Sequence, residues 1–328
     1  MALSDLAVYS EYAYSAKTEV LRQQIDLFNA ASGGCIALST AQNSGDFSET
    51  AFWQKISGLV KRRNAYGSGA ISTKVMKHIK DRSVKVAAGT AQIQLDPGQF
   101  KWIQRSPKEA GAALGIQLAK DTMADMLNIA LGCTVSAIGQ IGALTKDVTS
   151  SSAAADKLLT FGNLNRAQSL FGDRSNEIGA WVTHSKPLFD LYGANLANSE
   201  RLFTYESVNV IRDPFGKLIV VTDSDKLYTT VTGTPDVTTY HVLGLTPAAI
   251  VLEENNDFDA VFEDKTGDEN LQRFYQAEWS YQLGIKGFAW DVGNGGKSPN
   301  DTALLLSTNW DKYATDNKDM AGVLLEVL

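Results

Sequence analysis

His184 and Ser185, in Trp-Val-Thr-His-Ser-Lys-Pro with Asp190 close behind, are the neighbours in this 328-residue sequence that could most readily do chemistry. A serine hydrolase needs a hydroxyl hydrogen-bonded to an imidazole that a carboxylate orients. Adjacency in the chain does not supply that geometry, and no Gly-x-Ser-x-Gly elbow is present to expose a nucleophile. His78 and His241 stand alone, and none of the three histidines has a second ligand at the spacing of a metal site. Each therefore reads as structural. Gly295-Gly296-Lys297-Ser298 imitates the end of a phosphate-binding loop, yet Asp291 occupies the position of the required first glycine and Pro299 follows where a helix should begin. An Asx turn is the expected structure. Asp257-Phe-Asp259 matches a calcium loop only at its first two ligands, since Val261 and Phe262 fill the next two key positions. It reads as a solvated acidic face or a subunit contact. Cys35 and Cys133 are far apart and are expected to be free thiols. No cofactor or metal is implied.

Charge is distributed unevenly around a net value of -7. Residues 55 to 85 hold nine bases, among them Lys61, Arg62, Arg63, Lys74, Lys77 and Lys80, against the single acid Asp81. Residues 253 to 269 hold eight acids, among them Glu253, Glu254, Asp257, Asp259, Glu263 and Asp264, against Lys265. The basic stretch lacks the interleaved aromatics of a nucleic-acid site, so a solvated or partner-facing segment is the better reading. The two clusters are expected to meet between neighbouring copies of the chain, because opposite charge steers association and fixes register. Met1 to Ser15 carries Asp5, Glu11 and three tyrosines in place of a signal peptide, and no apolar run approaches 18 residues, so no membrane span is expected.

Ser106-Pro-Lys-Glu supplies an N-cap serine, a proline at the first helical position and a glutamate three residues after the cap. Apolar or small residues then recur at spacings of three and four from Ala110 to Ile141, predicting one helix roughly 50 Å long. From Tyr275 to Ile285 apolar and polar residues alternate, predicting a long strand with one solvated or partner-facing side. Further strands are expected at Val208–Ile211, Leu218–Thr222, Tyr240–Leu245, Ala249–Leu252 and Gly322–Val327, with turns at Asp213-Pro-Phe-Gly and Thr234-Pro-Asp. Leu164–Phe171, Ile178–Trp181 and Pro187–Leu196 read as short helices or buried strands of a separate lobe, entered through a linker at Thr149–Asp156. Residues 64 to 73, rich in glycine and serine, look like the tip of a protruding hairpin arm.

The segments Met1–Tyr14 (Met-Ala-Leu-Ser-Asp-Leu-Ala-Val-Tyr-Ser-Glu-Tyr-Ala-Tyr), Arg63–Ala70 (Arg-Asn-Ala-Tyr-Gly-Ser-Gly-Ala) and Val84-Lys-Val-Ala-Ala-Gly-Thr carry a family resemblance. Asp96-Pro-Gly-Gln-Phe, Asp213-Pro-Phe-Gly-Lys, Lys265-Thr-Gly-Asp-Glu-Asn and Gly295-Gly-Lys-Ser-Pro-Asn-Asp extend it almost end to end. The sequence resembles the major capsid proteins of tailed double-stranded DNA phages, podoviruses similar to phage epsilon fifteen, with the Hong Kong 97-type fold. The resemblance implies an α+β chain: an N-terminal segment (1–34), an extended arm (35–97), a peripheral domain with a spine helix (98–150), an axial domain (151–239) and a return to the peripheral domain (240–328). It implies a non-enzymatic role, self-assembly through hexamers and pentamers into an icosahedral shell around DNA held without sequence-specific binding, and assembly in the host cytoplasm. No long, charged, helical N-terminal extension is expected, so a separate scaffolding protein is implied, with a portal and a possible cement protein. No motif identifies a Lys-Asn crosslink. The rival readings are a nanocompartment shell protein and a hydrolase using His184 and Ser185.

Overall fold

The computed structural model describes residues 3–40, 47–53, 60, 62–71, 73, 75, 78–95, 106–192, 200–205, 208–212, 218–233, 236–265 and 272–328. Its framework is a pair of long helices in backbone contact. The first, α1 (Leu3–Ala31), is a long helix within the segment expected at 1–34, for which no helix had been predicted. Tyr9, Ala13, Leu21, Ile25 and Phe28 are buried along one stripe at helical spacing, so α1 is part of the packed structure rather than an appendage. The chain then forms β1 (Ile36–Thr40), β2 (Phe47–Trp53), β3 (His78–Gly89) and β4 (Ile93–Leu95) before entering α2 (Pro107–Gly139). Two glycines of α2 let the helices touch. A Cβ on Gly111 would lie 2.5 Å from the Tyr9 carbonyl oxygen, and one on Gly115 would lie 2.3 Å from that of Ala13.

α2 matches the predicted helix at both ends to within two residues. Its capping box does not form, because Ser106 adopts φ -146°, ψ 78° and its hydroxyl makes no capping bond among the described residues. In its second half the helix is buried on nearly every side, including the run from Ile129 to Thr134. It is also long and apolar enough to cross a bilayer, but 67% of the qualifying window is buried inside the protein, the property of a core helix.

Beyond α2 come β5 (Thr145–Asp147), α3 (Phe161–Gln168), β6 (Ala180–Thr183), α4 (Ser185–Tyr192), β7 (Glu200–Tyr205), β8 (Val208–Arg212), β9 (Leu218–Thr222), β10 (Tyr228–Val231) and β11 (Val237–Leu245). The last part holds β12 (Ile250–Glu254), β13 (Asp259–Lys265), β14 (Gln272–Ile285), β15 (Phe288–Trp290), α5 (Val292–Gly295), α6 (Asp301–Leu304), β16 (Trp310–Lys312) and β17 (Gly322–Val327). The predicted turns at 213–216 and 234–235 lie outside the described residues, as do residues 193–196.

The strands form two sheets. In the first, β14 is the axis: β12 and β13 pair along one edge, β3 and β4 along the other, and β1, β2, β15 and β16 extend it. In the second the order is β5-β17-β11-β6-β9-β8-β7, with β10 on β11. One continuous core joins the sheets. It includes Phe28 of α1, Met126 and Leu131 of α2, Phe171, Trp181, Val220 and Leu243 of the middle segment, and Leu283 and Leu324 near the end. The alternating strand is therefore the best-read element of the first sheet, with Tyr275, Ala277, Trp279, Tyr281, Leu283 and Ile285 all buried. Its polar face is only partly solvated, because Ser280 and Gln282 are buried too. Hydrogen bonds meet part of the cost: Ser83 Oγ donates to Gln282 Oε1 (2.7 Å) and Asn255 Nδ2 to Ser280 Oγ (2.9 Å), while Gln282 Nε2 and Asn255 Oδ1 are buried without a partner among the described residues.

Candidate functional site

The basic stretch begins as a hairpin. β2 and β3 pair antiparallel from Phe47↔Val84 to Trp53↔His78, and every described residue between them is exposed. At the base of this hairpin the bases are already matched within the chain. Lys80 Nζ lies 3.1 Å from Glu49, and Arg82 Nε donates to the same carboxylate at 2.6 Å. Those two hydrogen bonds hold the Glu49 carboxyl below the usual carboxylate range. Farther out, Arg62 and Arg63 are exposed beside a turn in which Gly67 N donates to Asn64 O. Neither makes an ion pair among the described residues. Lys61, Lys74 and Lys77 lie outside those residues.

The acidic stretch divides in the same way. Glu254 is buried against Lys17 of α1, with Nζ and Oε1 3.1 Å apart. Lys17 is 1% exposed, and its ammonium sits 4.4 Å from the Trp279 ring centroid and 4.8 Å from that of Phe258. Burial lowers the Lys17 pKa, and Glu254 opposes that shift. Asp257 accepts from Ser280 N at 2.7 Å and from Ser280 Oγ, and meets Lys85 at 3.4 Å across β14. Partial burial works to raise its carboxyl, but the bonds from Ser280 and Lys85 prevail and leave it below the usual range. Members of the two clusters thus do meet, at Lys85 and Asp257, inside one chain. Asp259 and Glu263 remain on the exposed face of β13 without an ion pair among the described residues, while Glu253 is half-buried and Asp264 lies in the same strand.

Composition alone could not show the partners outside both clusters, Glu49 and Lys17. For Lys17 a signal existed: it stands four residues after Ala13 and four before Leu21, in the buried stripe of α1.

The His184 neighbourhood does not form a hydrolase dyad. Nδ1 accepts from the Lys186 amide at 3.2 Å, Nε2 lies 3.6 Å from Asp223, and among the described residues no hydrogen bond joins the Ser185 hydroxyl to the ring. Asp190 is engaged by Lys186 Nζ at 2.6 Å. Asp291 forms the expected Asx turn, accepting from Gly293 N at 2.8 Å and capping α5. Cys35 and Cys133 are free and buried, and burial pushes the Cys35 thiol up to about 11 and the Cys133 thiol higher still. Among the described residues no cluster of three His, Cys, Asp or Glu side chains could hold a metal ion.

The family model described as major capsid protein 13-like matches residues 5–324. Among solved structures, the fold is similar to the cyanophage Pam1 capsid asymmetric unit, with a TM-score of 0.51 and 10% identity over 89% of this chain and 88% of that one. The capsid of Ralstonia phage GP4 follows at 0.47 and 9%, over 89% and 87%. A virus-like particle from Pyrococcus furiosus gives 0.44 and 11%, over 98% and 99%. At such identities fold alone is shared, and the epsilon fifteen group is not singled out. No curated protein sequence matches the chain.

Proposed function

This chain belongs to the major capsid protein 13-like family, and from that premise we propose how its parts divide the work of building a phage shell. It has the Hong Kong 97-type fold, and its place is the virion's icosahedral shell, where copies associate with one another. Its role is structural. The division of labour is an arm at 35–97, a peripheral domain at 98–150 and 240–328 built on α2 and β14, and an axial domain at 151–239.

The observation that carries this reading is the arm itself. Val60 is 96% exposed, Tyr66 100% and Ile71 77%, so the described residues of the tip form no core of their own. A two-stranded ribbon is marginal unless something covers it, and in a shell the cover is a neighbouring copy. The charges free to guide it are Arg62 and Arg63 on the arm and Asp259 and Glu263 on β13. Lys80, Glu254 and Asp257 serve contacts within the chain, which narrows the set of inter-subunit candidates. Gly67 and Gly69 let the tip take different angles in quasi-equivalent positions. A separate scaffolding protein, a portal and a cement protein complete the partners, assembly takes place in the host cytoplasm, and DNA is held by confinement without sequence readout.

Negative-stain microscopy of the purified chain tests this. Uniform closed shells or capsomers are expected. A protein that stays monomeric at every concentration and salt, alone and with scaffolding protein, overturns it.

A further inference from the structure

β1 ends the first sheet. Among the described residues it pairs with β12 alone, parallel and without a bulge from Ile36↔Ile250 to Thr40↔Glu254. Cys35 O accepts from Ala249 N at 2.9 Å on the β12 side. Backbone groups alternate along a strand, so those of Ile36, Leu38 and Thr40 point to the other side. Nothing in Ile36-Ala-Leu-Ser-Thr guards that side, since the strand has no charge, no proline and no bulge, the devices that keep a free edge from adding another strand. β13, which pairs only with β14 among the described residues, is guarded in that way, with Asp259, Glu263 and Lys265 exposed. On β1 the guard comes from α1. Asn29 Nδ2 donates to Leu38 O at 2.6 Å, and Asn29 Oδ1 accepts from Leu38 N at 2.9 Å. A residue of an adjacent antiparallel strand exchanges the same two bonds with its partner, and here one side-chain amide makes both. The fold fixes where that amide sits. Phe28 beside it is fully buried, and the chain leaves α1 through a turn in which Gly33 and Gly34 take φ of 65° and 70° and Gly34 N donates to Asn29 O at 3.1 Å.

We propose that the edge of β1 is a surface through which a second copy of this chain can pair strand to strand, and that Asn29 holds it shut. The strand is its own fitting partner. Short, neutral and mostly apolar, it can meet a two-fold-related copy antiparallel, with the open backbone groups of each matched by the other and no charge opposed. Ser39 lines a groove of about 500 Å³ together with Thr18, Arg22 and Asp26 of α1, so there is open space beside the edge. The end of α1 has to swing away before another strand can enter, and the two bonds from Asn29 to Leu38 oppose that movement. Asn29 therefore keeps copies apart at this edge while their other surfaces stay free to associate.

Sedimentation velocity of the full chain, below the concentration at which the parent assembles, tests this with Asn29→Ala. The variant should associate with itself about tenfold more tightly than the parent, as expected when two hydrogen bonds no longer compete for the edge. Adding Ser39→Lys should return it to the parent's monomeric state, because lysines on two paired edge strands face each other and resist pairing. That reversal separates strand pairing from association by unfolding, which an added lysine on β1 does not cure. If the alanine variant folds poorly by circular dichroism, Asn29→Ser, which can keep at most one of the two bonds, takes its place with the same expected result. A folded variant that stays as monomeric as the parent, or one that associates equally with Ser39→Lys present, overturns the proposal.

Discussion

The α1–α2 pair and the β2–β3 arm solve opposite problems with the same chain. In the helix pair, glycines at 111 and 115 bring backbones together and the stripe of α1 from Tyr9 to Phe28 is buried. In the arm, the tip is exposed and order at the base comes from ion pairs around Glu49. The first region completes its contacts on folding; the second leaves its apolar and charged groups for another molecule. Stability and assembly should therefore respond to different substitutions.

The sharpest break should come at Lys17. Lys17→Met strands the Glu254 carboxylate in a buried site and should cost about 3–5 kcal/mol in urea denaturation. Lys17→Met with Glu254→Leu should recover most of it, because what is lost with one partner is chiefly the unpaired charge. Gly115→Ala should cost about 1–3 kcal/mol, since the new methyl meets a backbone carbonyl and α1 must shift. A loss below about 0.5 kcal/mol would show that the helix contact is looser than its geometry.

A smaller effect belongs to acid stability. The Asp257 carboxyl is depressed in the folded chain, so its contribution is present above the unfolded value near 4 and disappears as pH falls through the lower folded value. Asp257→Asn should remove less than about 1 kcal/mol at pH 7, because the side chain is more than a third exposed. It should also flatten the decline of stability below pH 4. An unchanged decline would place the acid sensitivity elsewhere.

Periodicity made the regular parts of the fold legible. Pro107 and the repeats that follow it marked α2, and β9 and β17 fall on the predicted residues because their apolar runs stop at Thr222-Asp223 and start at Gly322, respectively. α1 was hidden by the lysine in the middle of its stripe, a residue type that is buried only when a distant partner such as Glu254 meets it. The polar face of β14 read as solvated or partner-facing for the same reason, since Ser83 and Asp257 arrive from remote segments to meet part of it. Clusters of charge were visible in the sequence, but which charges remain free was not. Glu49 lies before the basic cluster and Lys17 far from the acidic one.

The most direct test reverses the charge of the arm tip and measures two quantities on the same protein. In Arg62→Glu/Arg63→Glu the unfolding free energy from urea denaturation should stay within about 0.5 kcal/mol of the parent, as expected for exposed positions. Its assembly, followed by light scattering, should be several-fold slower at low salt, and the difference should shrink toward 1 M salt, where the Debye length is about 3 Å. A lowered midpoint with assembly at the parent's rate would contradict the account, because the arm would then be serving its own chain and not its neighbours.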